Sequence, residues 1–327
     1  MLASVLEPHH IPLSQVIGEA IEYFRRCQQP DGSISDHPSA ALFREWDSVN
    51  ALKAIALWQK DIPFDLTGLI DPMLGFFAAQ EKPTGMLSWG GAEIAADEYC
   101  TETSSEYITA LTLLGRTEQA CVKANFLRDR QLADGPWEEV HPHVPKAFQL
   151  APSVTGFALL ALDGLGIEPT YLDEALMFLA GKQHSDGHFG INWYYYASYY
   201  YLMRSTVAAL ANFGSYRAVA AARDFVLAQQ RPDGSWFSRV EGTGTAAAPE
   251  LHTAFAVATL AHAGMSADER PVRSAIGWLL DRRRPDGSWF GGNYPYPAIE
   301  GYADFYAPKD AFTTAQVLCA LKQLETT

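Results

Sequence analysis

Four side chains able to move protons, Asp47, Glu102, His252 and Asp310, stand near the starts of apolar segments of this chain. A carboxylic acid kept protonated by an apolar pocket, or hydrogen-bonded to an imidazole such as His252, can protonate an alkene. A second set of residues suits the product of that step. Trp46, Trp193, Tyr195, Tyr199, Phe305, Tyr306 and Phe312 lie in or beside the same segments, in runs such as "INWYYYASYYY" (191–201) and "GYADFYAP" (301–308). Aromatic faces stabilise a passing carbocation and accommodate a greasy polyene. Each set also has a plainer reading. Carboxylates at helix starts are favoured by the helix dipole, and tyrosine rings can plug a mouth as packing.

The elements that must position these residues are repeated. A turn of the form "RPDGSWF" occurs at Gly234 and Gly287, and weaker copies occur at Gly32, Gly85, Gly135 and Gly187. The glycine spacings are 53, 50, 52, 47 and 53, an evenness that marks an internal repeat. Each turn ends an amphipathic helix with a charged face, and Pro, Asp and Gly suit the turn's successive positions. The Trp that follows can fold back over the helix it leaves. Each turn then leads to a helix that is apolar nearly all round, and these six align on a final leucine. Six positions before that leucine stand Ala51, Ser105, Gly156, Arg204, Ala254 and Ala315, five of them small enough for close helix approach.

Six outer–inner pairs without strand patterning predict an all-α fold, an (α/α)6 barrel closed into a toroid and occupying residues 1–327 as a single domain. The longest loops lead into the inner helices at their N-termini, so that mouth is the expected working end. Asp47, Ser153, Thr253 and Thr313 are candidate caps there. Unpaired N–H groups at the same mouth would favour an anion such as a diphosphate or carboxylate.

Composition narrows the class. The formal net charge is -14 and the pI about 5.0, which argues against nucleic acid or an anionic membrane as partner. No basic leader precedes an apolar stretch, and no run is long enough to span a membrane, so a cytoplasmic location is expected. The four cysteines are scattered and read as reduced thiols.

The repeated Q-x-x-x-D-G-x-W pattern resembles the QW repeat of the squalene–hopene cyclase and class II terpene cyclase superfamily, whose barrel is shared by protein prenyltransferase β subunits. The resemblance implies isoprenoid chemistry: a terpene cyclase, of the isomerase or lyase class, that protonates its substrate with the middle Asp of a D-x-D-D-T-A segment. Here the counterpart is "PELHTA", where Pro249, Leu251 and His252 replace the three aspartates. The family's acid therefore does not carry over at that place. In the column of the middle Asp the six helices hold Ser48, Glu102, Ser153, Tyr201, Leu251 and Phe312, of which only Glu102 is a carboxylate. Pseudo-sixfold geometry lets an acid enter the same cavity from another repeat. Glu102, tuned by Asp47 and Asp310 and hydrogen-bonded to His252, is the expected proton source.

Arg204 is the anomaly in the small-residue column. A buried guanidinium needs a carboxylate or a ligand anion. A structural ion pair is one reading, and an anchor for a diphosphate or carboxylate, with Lys146 or Lys309, is the other. No cofactor is expected, with a place for Mg2+ only if the substrate carries a diphosphate. The alternatives are a non-catalytic or partner-dependent barrel that binds a hydrophobic ligand or peptide, and zinc-dependent prenyl transfer. For zinc, Asp97, Cys100, His252 and Asp310 offer the residue types, but not in the arrangement of the prenyltransferases.

Overall fold

The computed structural model describes residues 11–36, 44–89, 94–191, 196–238, 246–295 and 306–326. The outer helices are α1 (Leu13–Cys27), α3 (Thr67–Gln80), α5 (Thr117–Arg128), α8 (Leu172–Gly181), α10 (Tyr216–Ala228) and α12 (Arg270–Asp281). The inner ones are α2 (Arg44–Trp58), α4 (Thr101–Leu113), α7 (Pro152–Asp163), α9 (Tyr199–Asn212), α11 (Pro249–His262) and α13 (Asp310–Thr326). A single-turn helix, α6 (Lys146–Gln149), precedes α7.

Burial separates the two sets as the apolar patterning requires. The inner α9 buries every residue from Tyr200 to Leu210, whereas the outer α1 buries one stripe, Val16, Ile17, Ala20, Ile21, Tyr23 and Phe24. Inner helices pack in chain order, and α13 packs on α2, so the ring is closed. The small-residue column sits at these contacts. A Cβ placed on Gly156 would lie 2.7 Å from the Ser205 backbone of α9.

The repeated turns fasten each outer helix to the next. Gln28, Gln131, Gln183 and Gln230 each donate to the carbonyl of their own turn glycine and to a carbonyl near the start of the following outer helix. At the other two turns ion pairs take that place, Glu81 with Lys123 and Arg283 with Glu19. The last of these joins the sixth turn to α1 and closes the outer ring. Trp137, Trp236 and Trp289 fold back over the helices they leave, each indole N–H donating at 2.7 Å to a carbonyl ten residues upstream.

The all-α barrel stands, with a small sheet added in its loops. Three short strands exist, β1 (Ala246–Ala247), β2 (Gly292–Pro295) and β3 (Tyr306–Pro308), paired antiparallel in that order. They join the loop before α11 to the loop before α13, satisfying backbone groups that have no helix to enter. Among the described residues no helix is long and apolar enough to cross a membrane.

Candidate active site

The first turn of α4 gathers the most concentrated acid chemistry. Cys100 precedes it, and its sulfur accepts from the Thr103 N–H at 3.3 Å. The remaining free N–H groups are met by Glu139, from the loop beyond the third turn, whose carboxylate accepts from Thr101 N at 2.7 Å and Glu102 N at 3.3 Å. An acidic side chain suits this position because the helix start carries unpaired donors and a positive dipole end. Glu139 is nonetheless buried, and desolvation together with the nearby Glu102 charge pushes its pKa up to about 8.

Glu102 projects one residue further in and is itself only 8% exposed. The Ser153 hydroxyl of α7 donates to its Oε1 at 2.5 Å, and the Tyr201 phenol of α9 donates to its Oε2. Three neighbouring inner helices thus meet at one carboxyl group. Burial raises its pKa against the opposing pull of those two hydroxyls and of Arg204.

Aromatic rings fill the barrel beside this carboxyl. Tyr196 stacks on Phe312 with centroids 5.3 Å apart and an interplanar angle of 13°, and contacts Tyr201 at 4.7 Å and Phe255 at 5.9 Å. Trp46 packs on Phe157 and Phe312 and donates its indole N–H to the Tyr196 hydroxyl at 2.7 Å. Ala197 follows with φ of 48°, the one positive value outside glycine among the described residues, and its carbonyl accepts from Ser238.

The other expected residues are placed as follows. Asp47 is buried against Lys309, whose ammonium donates to both carboxylate oxygens at 2.8 and 3.0 Å. Asp310 accepts from Arg284 at 2.6 Å and from Gly291 N at 2.7 Å. Both carboxylates therefore carry structural ion pairs and neither touches Glu102. His252 faces Ser238 at 3.2 Å through Nδ1, its Nε2 is buried without a partner, and burial lowers its pKa to about 3. Its hydrogen-bond partner is Ser238 and not Glu102. Tyr199 packs between His188 and Phe225, toward the outer layer. Tyr201 takes the central place instead, because residues two apart on a helix point to nearly opposite sides. Lys146 is exposed. Trp193, Tyr195 and Phe305 lie outside the described residues, and Tyr306 lies on β3.

The expected caps also differ, because the inner helices begin earlier than their polar residues suggested. Ser153 serves Glu102, Asp47 serves Lys309, and Thr253 Oγ1 accepts from Trp236 N at 3.0 Å. The Thr313 hydroxyl is buried without a partner. For zinc, Cys100, His252 and Asp310 each belong to a different set of partners. No group of three potential metal ligands occurs among the described residues.

One helical turn below Glu102 lies a layer of charge. Arg204 donates to Gln316 at 2.8 Å and reaches Glu106 at 3.4 Å, while Lys53 pairs with the other oxygen of Glu106 at 2.6 Å. The guanidinium also lies against Phe157, Phe255 and Tyr201, with centroids 4.8, 5.4 and 5.8 Å away. Its partner on the sequence's second reading was to be Lys146 or Lys309; the structure supplies Lys53. Glu106, Lys53, Glu139 and Tyr196 were not foreseen. Glu106 was signalled by standing four residues after Glu102, on the same face of α4.

Comparison with known proteins bears on the fold and on the C-terminal segment. Residues 198–324 match the family model described as the squalene-hopene cyclase C-terminal domain. A copalyl diphosphate synthase of Streptomyces anulatus is 39% identical over 67 residues, which cover 20% of this chain and 11% of that protein. The match thus spans about a tenth of the curated relative. Among solved structures, a variant of type II terpene cyclase MstE from Scytonema, bound to its substrate geranylgeranyl dihydroxybenzoate, superposes with a TM-score of 0.70 at 18% identity. It covers 96% of this chain and 97% of its own. The ent-copalyl diphosphate synthase of Streptomyces platensis gives 0.59 at 21% identity over 86% of this chain and 51% of its own. A glycosidase variant gives 0.60 at 15% identity over 96% and 97%. The C-terminal segment is thus similar to the squalene-hopene cyclase C-terminal domain, and the whole chain shares its α/α barrel fold with type II terpene cyclases.

Proposed function

We propose that the chain is a terpene-cyclase-like enzyme in which Glu102 protonates a polyprenyl substrate held among the central rings. The observation that carries this reading is a desolvated carboxyl group held by two hydroxyl donors in an aromatic surround. Burial favours the protonated form of Glu102. As that proton moves to an alkene carbon, the Ser153 and Tyr201 hydrogen bonds become charge-assisted and strengthen, which favours the transition state over the ground state. The cation formed would be shielded by Tyr201, Phe157, Phe255 and Phe312 and quenched by losing a proton, leaving an isomer of the substrate. Admission of the chain requires Tyr196 to leave its place between Trp46 and Phe312.

The barrel fold alone does not decide the chemistry, since a glycosidase shares it. A second reading, a barrel that binds a hydrophobic ligand without turnover, is favoured by Pro249, Leu251 and His252 in place of the family's aspartates. Incubating the protein with geranylgeranyl diphosphate, with and without Mg2+, and with geranylgeranyl dihydroxybenzoate separates the two. Cyclised isomers found by mass spectrometry support the enzyme. Recovery of bound, unchanged substrate supports the binder.

A further inference from the structure

The C-terminal halves of the inner helices enclose a cavity of about 320 Å³, lined from all six of them. It reaches from the Arg204 layer to the helix ends at Leu57, Leu113, Asp163, Asn212, His262 and Gln323. Neither Glu102 nor its hydroxyl donors line it, although Phe157 does, so the space lies below the proposed cyclisation site, and the charge count at its inner end rests on that reading's protonated Glu102.

Charge is unbalanced at its inner end. Lys53 and Arg204 share the single carboxylate of Glu106, whose side chain is 1% exposed, and Arg204 Nε is buried without an acceptor. The other carboxylate on the cavity wall, Asp163, stands at the far rim and is bonded to Asn212. Burying a cation without compensation is costly, and an anion brought into the cavity would relieve it. His262 adds an imidazole that makes no hydrogen bond to a described residue, and burial keeps it neutral, its pKa lowered to about 3.

Helix dipoles fix the orientation of such a ligand. The carbonyl ends of the ring repel an anion near the opening, an effect confined to about the last turn. Arg204 lies eight residues before the end of α9, about 12 Å deeper at the helical rise, and so escapes it. The wall between is apolar, formed by Leu160, Ala258 and Leu113 among others. At about 30 Å³ per water-sized group, the space takes roughly ten heavy atoms.

We propose that this cavity is a binding site for a small amphiphilic carboxylate, its head group at Lys53 and Arg204 and its alkyl tail toward the opening. Isothermal titration of the intact protein with octanoate, octan-1-ol and octylammonium tests it, the three probes sharing one tail. Octanoate is expected to bind tightest and octylammonium weakest. Equal binding of octanoate and octanol, preference for octylammonium, or no saturable octanoate binding at millimolar concentration would each overturn the proposal. Lys53→Met should weaken octanoate about ten- to a hundredfold and leave octanol nearly unchanged, as expected for loss of one charge-assisted contact. Ala258→Phe, which fills the tail region, should abolish both. Retained octanoate affinity in Ala258→Phe would place the ligand elsewhere and also refute the assignment.

Discussion

Lys309→Met removes the ammonium that closes the inner ring onto Asp47. Two hydrogen bonds of 2.8 and 3.0 Å are lost, and the Asp47 side chain is 3% exposed, so water cannot replace them. Breaking a buried pair from one side costs about 3–5 kcal/mol, because the remaining charge must be protonated or left unpaired. Burial already pushes the Asp47 pKa up, with Lys309 pulling against it, so protonation is the cheaper escape. Replacing both partners, Asp47→Leu with Lys309→Met, leaves no orphaned charge and should recover most of the loss. Denaturant unfolding at pH 7, followed by helical circular dichroism, reads both effects as shifts of midpoint at unchanged slope. A loss below about 1 kcal/mol in the single variant would refute the reasoning. So would losses that simply add in the double variant.

The turns and the acid cluster give further expectations. Gly287→Ala should destabilise by more than about 2 kcal/mol, since its Cβ would lie 2.4 Å from Glu19 O at a φ of 84°. Gly115→Ala, at a φ of 73° with nothing within 4 Å, should cost only the conformational part, about 1–2 kcal/mol, and thermal melts compare the two. Glu139 keeps its proton in the folded chain up to about pH 8, whereas the unfolded chain loses it near pH 4.5. Stability should therefore fall as pH rises through that window, by up to about 5 kcal/mol from this group. Glu139→Gln should flatten that slope in denaturation series from pH 5 to 9, and an unchanged slope would contradict the assigned burial cost.

Much of the barrel was legible because its signals are local and repeated. The six turn glycines, the tryptophans that follow them and the apolar inner helices all act within one repeat, so spacing alone counted the pairs. Glu102 was legible for the same reason, as the one carboxylate in an aligned column. What escaped depends on long-range pairing or exact helical phase. Asp47 and Lys309 meet from positions 262 residues apart, and nothing local marks either as the other's partner. Tyr199 and Tyr201 share one tyrosine run, and only the true start of α9 decides which ring faces the centre. Glu139 sits in an aperiodic loop where no phase exists to read, and β1–β3 are too short to show alternation. The acid cluster lies at the N-terminal mouth, and the cavity at Arg204 opens at the opposite end.

The most direct test of the proposed chemistry is the turnover of Glu102→Gln beside the unaltered protein. The amide is nearly isosteric with the acid; its oxygen can accept from one of the two hydroxyls while its NH2 donates to the other, so the barrel should keep its circular dichroism and melting behaviour. Removing a general acid is expected to lower the rate of cyclised product by at least about a hundredfold, measured by mass spectrometry of extracts. Full activity in a folded Glu102→Gln protein would contradict the account.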